Sequence, residues 1–188
     1  MQGPRPSTTE VVLVSGASSG IGRELALAWA RPGAVLHLCA RRPQALAETA
    51  AMCRALGAEV HPRVADVTDR AAMEEWITAV DAHTPIDVLV ANAGIYGGRE
   101  GPEGESAEQA RAIFDTNLGG TLNLVLPALP GMRRRHRGRI VLISSLAGFR
   151  GQPVMPAYSA SKAAVRVWGE ALRGWLAAEG VTVTVVCP

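Results

Sequence analysis

The sequence predicts an α/β fold, a doubly wound parallel β-sheet in three α/β/α layers, and three observations carry the prediction. Apolar runs rich in β-branched residues alternate along the chain with longer segments of helical periodicity. That alternation calls for parallel strands joined by right-handed helical crossovers, with helices on both faces of the sheet. The chain has 188 residues, 48% hydrophobic and 19% charged. That suits one compact, soluble domain, with too many aliphatics for a disordered chain.

The elements follow in order. Strands are expected at "VVLVS" (11–15), "AVLHLCA" (34–40), "AEVHPRVA" (58–65), "IDVLVA" (86–91), "RIVLIS" (139–144) and "VTVTVV" (181–186). Helices are expected near 20–31, 43–56, 69–82, 106–130 and 156–179. The glycine-rich "GIYGGREGPEGES" (94–106) reads as an irregular loop after the fourth strand. The basic run "LPGMRRRHRGR" (129–139) lies between a helix and a strand, where positive charge suits a helix C-terminus. It has no interleaved aromatics for stacking bases.

Composition excludes several function classes. A formal charge of +2 is too small to point to nucleic acid or membrane as the main partner. Cys39, Cys53 and Cys187 show no metal-ligand spacing and read as reduced thiols of a cytoplasmic protein, so no metal is expected. The N-terminal "MQGPRPSTTE" lacks the apolar stretch of a signal peptide, and no apolar segment is long enough to span a bilayer.

The first strand runs into "SGASSGIGREL", where Gly16, Gly20 and Gly22 surround a helix start. Glycine permits a sharp turn and close backbone approach, and the helix start offers free N–H groups to a pyrophosphate. A ligand-free glycine turn is the competing reading. The second strand ends in Ala40, Arg41 and Arg42, with no carboxylate to accept a ribose 2′-OH. Arginine's planar fork suits a 2′-phosphate, so NADP(H) is expected ahead of NAD(H). Asp66, in "ADVTD", could accept a bond from adenine, or Asp66, Thr68 or Asp69 could cap the next helix.

The chemical end is expected in "MPAYSASKAAV". Lys162 is the only lysine among nineteen basic residues, and Tyr158 is one of two tyrosines. Four positions apart on a helix, phenol and ammonium share a face. A neighbouring cation favours phenolate. Ser144 and Ser145 stand at the C-terminal end of a predicted strand, where open α/β sheets bind ligands. Asn117 sits inside a helical pattern that asparagine disfavours.

These pieces, "SGASSGIG", "ADVTD", "ANAG", "DTNLGGT", "ISSLAG", "YSASK" and "VVCP", occur in an order that resembles the classical short-chain dehydrogenases/reductases, from about residue 8 to 188. The resemblance implies a Rossmann-type sheet and an NAD(P)-dependent oxidoreductase acting on a small carbonyl or alcohol. It implies a catalytic tetrad of Asn117, Ser145, Tyr158 and Lys162, with Ser145 preferred to Ser144 by its position relative to the tyrosine. Tyr158 would exchange the proton, Ser145 would hold the oxygen, Lys162 would grip the ribose, and Asn117 would hold a water leading to solvent. Contacts to the dinucleotide are implied for Gly16, Ser18, Ser19, Gly20, Ile21, Gly22, Arg41, Arg42, Asp66, Val67, Asn92, Ala93 and Gly94, together with Tyr158 and Lys162.

Two departures accompany the resemblance. The family often has asparagine where Ala91 stands. It also continues past the position of Pro188 into a substrate-binding segment, so residues 1–188 read as a single NAD(P)-binding domain without that segment. "VTVTVV" would then form an uncovered edge strand. Two readings follow: an oxidoreductase domain, or a catalytically silent nucleotide-binding or oligomerisation module. A methyltransferase would want a carboxylate where Ala40, Arg41 and Arg42 stand. By analogy a homodimer or homotetramer is expected, pairing through helices 106–130 and 156–179. "GFRGQPVMPA" (148–157) is expected to line the substrate entrance.

Overall fold

In the computed structural model, residues 9–97 and 105–188 are described. Most of the expected glycine-rich loop and of the N-terminal stretch therefore lies outside the described residues. Six parallel strands form one sheet: β1 (Glu10–Ser15), β2 (Ala34–Ala40), β3 (Glu59–Val64), β4 (Val88–Ala91), β5 (Gly138–Ile143) and β6 (Val181–Val186). Their order is β3-β2-β1-β4-β5-β6. The winding reverses between β1 and β4, which opens a crevice beyond their C-terminal ends. Register is direct, with Val12 opposite Val88 and Val14 opposite Val90.

Alternate side chains of β1 enter opposite layers. Val12 and Val14 pack with Leu36, Leu38 and Leu46 beneath α1 (Gly20–Trp29) and α2 (Pro43–Ala55). Leu13 joins Met73, Ile77, Leu124 and Val165 beneath α3 (Arg70–His83), α5 (Gly120–Arg134) and α6 (Pro156–Leu176). At the far edge β6 is covered on one face only. Val181 and Val183 are buried while Thr182 and Thr184 are exposed, so its Val-Thr alternation is a half-covered strand.

The long helix expected at 106–130 is two helices. α4 (Ala107–Phe114) passes through a π-helical turn (Asp115–Gly119) into α5, which runs on to Arg134. α5 contains Pro127 and Pro130, each costing a backbone bond. Burial of Leu124, Val125, Ala128, Leu129 and Met132 offsets that loss.

The basic run is tied into the fold. Arg135 makes two bonds of 2.8 Å to Asp81, and Arg137 lies 3.1 Å from Asp87. Arg133 pairs with Glu179 and Arg139 with Glu10. These arginines thus join the end of α5 and the start of β5 to α3, β1 and the turn before β6. Cys39 and Cys53 are buried free thiols, and burial pushes Cys39 up to about 12. Among the described residues, no helix is long and apolar enough to cross a membrane.

Candidate active site

A cleft of about 530 Å³ opens at the C-terminal ends of β1, β4 and β5. One end is built around the glycine turn. Gly16 has φ +67°, a conformation a side chain would strain. A Cβ on Gly22 would lie 2.3 Å from the Gly16 carbonyl, so only glycine lets α1 start this close to β1. Ser19, the N-cap of α1, makes no side-chain cap bond, and the first turn carries no acidic residue. The helix therefore presents unneutralised N–H groups to the cleft, an arrangement that fits a pyrophosphate.

Buried Ser15 holds β1 and β4 together where they part. Its Oγ accepts from the N–H groups of Asn92 and Ala93, both at 3.0 Å, and donates to the Val90 carbonyl at 3.3 Å. The Asn92 amide donates to the Ser15 carbonyl at 3.0 Å. Arg42 reaches from the end of β2 to the glycine turn, donating to Ser18 Oγ at 3.2 Å and Ser19 Oγ at 2.6 Å. Arg41 lies 3.7 Å from Asp66.

Asp66 accepts from the N–H and Oγ–H of Thr68, each at 3.0 Å. Burial works against its charged form, but Thr68 and Arg41 outweigh this and hold its carboxyl below the usual range. The residue that caps α3 is Asp69, which accepts from Ala72 N–H, so Asp66 keeps its place at the cleft.

At the other end, Tyr158 and Lys162 project from one face of α6. The Lys162 ammonium lies 5.9 Å from the centre of the Tyr158 ring, and both line the cleft. Lys162 is 5% exposed and donates to the Ile143 carbonyl at 2.9 Å. Burial pushes its pKa down to about 8. The two serines divide their tasks. Ser144, buried, donates to the Lys162 carbonyl at 2.8 Å and ties α6 to β5. Ser145, at the cleft, accepts from Ala147 N–H at 3.2 Å, and this leaves its own proton for a ligand.

Asn117 lies behind the cleft, 1% exposed. Its Oδ1 accepts from Ile95 N–H at 2.8 Å, and its Nδ2 donates to the Ile95 carbonyl and to Ser161 Oγ, both at 3.0 Å. Its carbonyl accepts Thr121 Oγ–H at 2.7 Å. A Cβ on Gly94 would stand 3.1 Å from Asn117 Oδ1 and 3.3 Å from Lys162 Nζ, so the three meet at one point.

The short chain dehydrogenase family model matches residues 10–188. The chain is a short-chain dehydrogenase/reductase. It is 44% identical over 177 residues to an uncharacterized oxidoreductase of Myxococcus xanthus, covering 94% of this chain and 70% of that protein. It is 38% identical to the ketoacyl reductase HetN of a Nostoc species, covering 96% of this chain and 63% of the relative. Among solved structures, an actinorhodin polyketide ketoreductase variant with NADPH superposes with TM-score 0.88 at 38% identity, covering 96% of this chain and 70% of that one. NAD+-bound xylitol dehydrogenase superposes with TM-score 0.89 at 29% identity, covering 97% and 71%. The chain therefore spans about two thirds of the length of these relatives.

Of the residues assigned to the site from the sequence of this short-chain dehydrogenase/reductase, Gly22 and Asn117 support the cleft from behind, and Gly20 is exposed and does not line it. The others line it. Sequence reasoning did not name Ser15, Tyr96, Thr116 or Glu105. Tyr96 meets the Tyr158 ring edge to face, centroids 5.5 Å apart, and is 63% exposed at the mouth. Its only signal in the sequence was scarcity, as the other tyrosine.

Proposed function

We propose that this short-chain dehydrogenase/reductase interconverts a small carbonyl compound and its alcohol with NADP(H). The observation that carries the proposal is the single buried ammonium set behind the Tyr158 ring, at the end of a cleft that begins at the glycine turn. When bound, the dinucleotide supplies or accepts the hydride. The start of α1 would hold its pyrophosphate. Arg42, with Ser18 and Ser19, would hold a 2′-phosphate, and Arg41 and Asp66 would flank the adenine end.

Ser145 Oγ–H donates to the substrate oxygen and stabilises the negative charge that develops there. Tyr158 gives its phenol proton to that oxygen in reduction and takes it back in oxidation. The Lys162 charge, sheltered from solvent, favours the phenolate that reduction leaves behind. Asn117 holds Ile95 and Ser161 in place. Any water it binds must share its carbonyl with Thr121. Free, buried thiols suit a reducing compartment, and a cytoplasmic setting is part of the proposal. Pairing between copies is expected on α4 to α6, where Phe114, Leu126, Val167 and Trp175 are exposed.

The test is NADPH oxidation with a panel of carbonyls that includes cyclohexanone and benzaldehyde. Tyr158→Phe should lower turnover by about 10²–10⁴-fold and leave NADPH affinity within about twofold. NADPH binding with no turnover of any carbonyl would support the silent nucleotide-binding module instead.

A further inference from the structure

We infer that Glu105 is a positioning residue for Tyr158, capping from a distance the helix that carries the phenol. The inference rests on the oxidoreductase reading above. α6 begins at Pro156, and its N-cap, Met155, makes no side-chain cap bond among the described residues. Proline has no N–H, and Ser159 N–H already donates to the Met155 carbonyl at 3.0 Å. The donors left over in the first turn are those of Ala157 and Tyr158. Both end on one carboxylate: Ala157 N–H donates to Glu105 Oε2 at 2.5 Å and Tyr158 N–H to Oε1 at 3.1 Å.

A serine or aspartate at the N-cap would ordinarily bond these same two positions. Here an acid 52 residues upstream does it for Ala157. Position 155 is thereby left to an apolar side chain.

The cap stands on a fixed turn. Ser106, next in sequence, is the N-cap of α4 and shares a reciprocal capping box with Gln109. Glu105 does not line the cleft, so it acts through the Tyr158 backbone and touches no reacting atom. Lys162 is held independently, by its bond to the Ile143 carbonyl and by Ser144 on its own carbonyl. Phenol and ammonium are thus fixed from opposite directions, one by the segment before α4 and the other by the end of β5. A shift of the first turn of α6 would move Tyr158 relative to Lys162 and Ser145, and misplacement on the scale of an ångström lowers turnover severely.

The experiment uses the whole chain, with cyclohexanone and benzaldehyde as carbonyl probes. Glu105→Ala should lower kcat about ten- to hundredfold and leave the NADPH dissociation constant within about twofold. Glu105→Gln keeps one acceptor oxygen and should fall between. Adding Met155→Ser to Glu105→Ala supplies a local cap and should restore most of the lost kcat, which a general packing defect would not allow. Hydrogen exchange at the Ala157 and Tyr158 amides should accelerate at least about tenfold in Glu105→Ala and slow again in the double variant.

Wild-type kcat in Glu105→Ala beside an inactive Tyr158→Phe overturns this inference alone. If Glu105→Ala does not fold, Glu105→Gln decides, and unchanged kcat and exchange in that variant overturn it. If the unsubstituted chain turns over no carbonyl, the oxidoreductase reading falls and the positioning role falls with it.

Discussion

At the β2 end of the cleft the positive charge belongs to Arg41 and Arg42, both exposed, with the Arg42 side chain bonded to serine hydroxyls of the glycine turn. At the β5 end it belongs to Lys162, 5% exposed and bonded to a backbone carbonyl. Solvent screens the first pair, so they contribute recognition at little cost to folding. Nothing comparable screens the second. A lysine displaced from its ordinary 10.5 to about 8 by burial corresponds to roughly 3 kcal/mol set against the folded chain at neutral pH. The chemical end is therefore a source of instability and the phosphate end is not.

Lys162→Met should break the comparison most sharply. Turnover should fall at least about a hundredfold, while the free protein becomes more stable at pH 7. The Ile143 carbonyl loses its donor, which returns about 1 kcal/mol, so a net rise in Tm of about 3–6 °C is expected. The sign with pH follows from burial. Below about 8 the lysine is charged in folded and unfolded chains alike, and the whole penalty is felt. Between about 8 and 10.5 only the unfolded chain keeps the proton, so wild-type stability climbs with pH. Calorimetry at pH 7 and pH 10 should show the advantage of the variant shrinking, and a variant less stable at both pH values would refute the account.

Arg42→Ala should lower the ratio of NADPH to NADH affinity by about tenfold with no change in Tm beyond a degree or so. Arg41→Asp should move the ratio the same way. Arg41→Ala should act more weakly than Arg42→Ala, because Asp66 already neutralises that guanidinium. Titration of cofactor fluorescence checks all three, and equal ratios across the set would remove the case for a 2′-phosphate site.

The smallest effect lies away from the cleft. His37 stacks on His61 at 4.8 Å, and its Nε2 is buried without a partner among the described residues. Burial, then the charge of His61, push its pKa from 6.5 to about 4, against the opposing pull of Glu59. As pH falls from 6.5 to 4 the unfolded chain takes up a proton that the folded chain resists, so stability is lost across that window. Solvent reaches part of the ring, so about 1–2 kcal/mol is expected. His37→Phe should match the wild type in Tm at pH 7 and exceed it at pH 4.5. Identical acid limbs would show that other groups govern acid unfolding.

The six strands were legible because their apolar runs declare themselves locally, and β6 even shows in its Val-Thr alternation which face is covered. The cleft was legible wherever a motif is continuous in sequence, as in the glycine turn or the Tyr158–Lys162 pair. What stayed hidden depends on contacts between distant segments. Nothing around Glu105 announces bonds to Ala157 and Tyr158. Ser15 looks like the ordinary end of a strand until β4 is placed beside it. Asn117 was visible as an anomaly in a helix, yet its partners Ile95 and Ser161 come from elsewhere. A helix was expected to end near residue 130, and α5 runs on to Arg134 with Gly131 and Met132 buried.

The wide turn at Asp115–Gly119 also bears on how this chain tolerates insertion and deletion. A π-turn carries one residue more than an α-helix needs over the same rise. Deleting a residue there would make a more regular rod whose two halves keep nearly the same phase, because the wide turn absorbs its extra residue locally. Ile113 would stay in the interior, and the acid that precedes Ser106 would keep its place at the start of α6. What a shorter, straighter version would lose is the wide turn that carries Asn117 to Ile95 and Ser161, so that version should be the less active one.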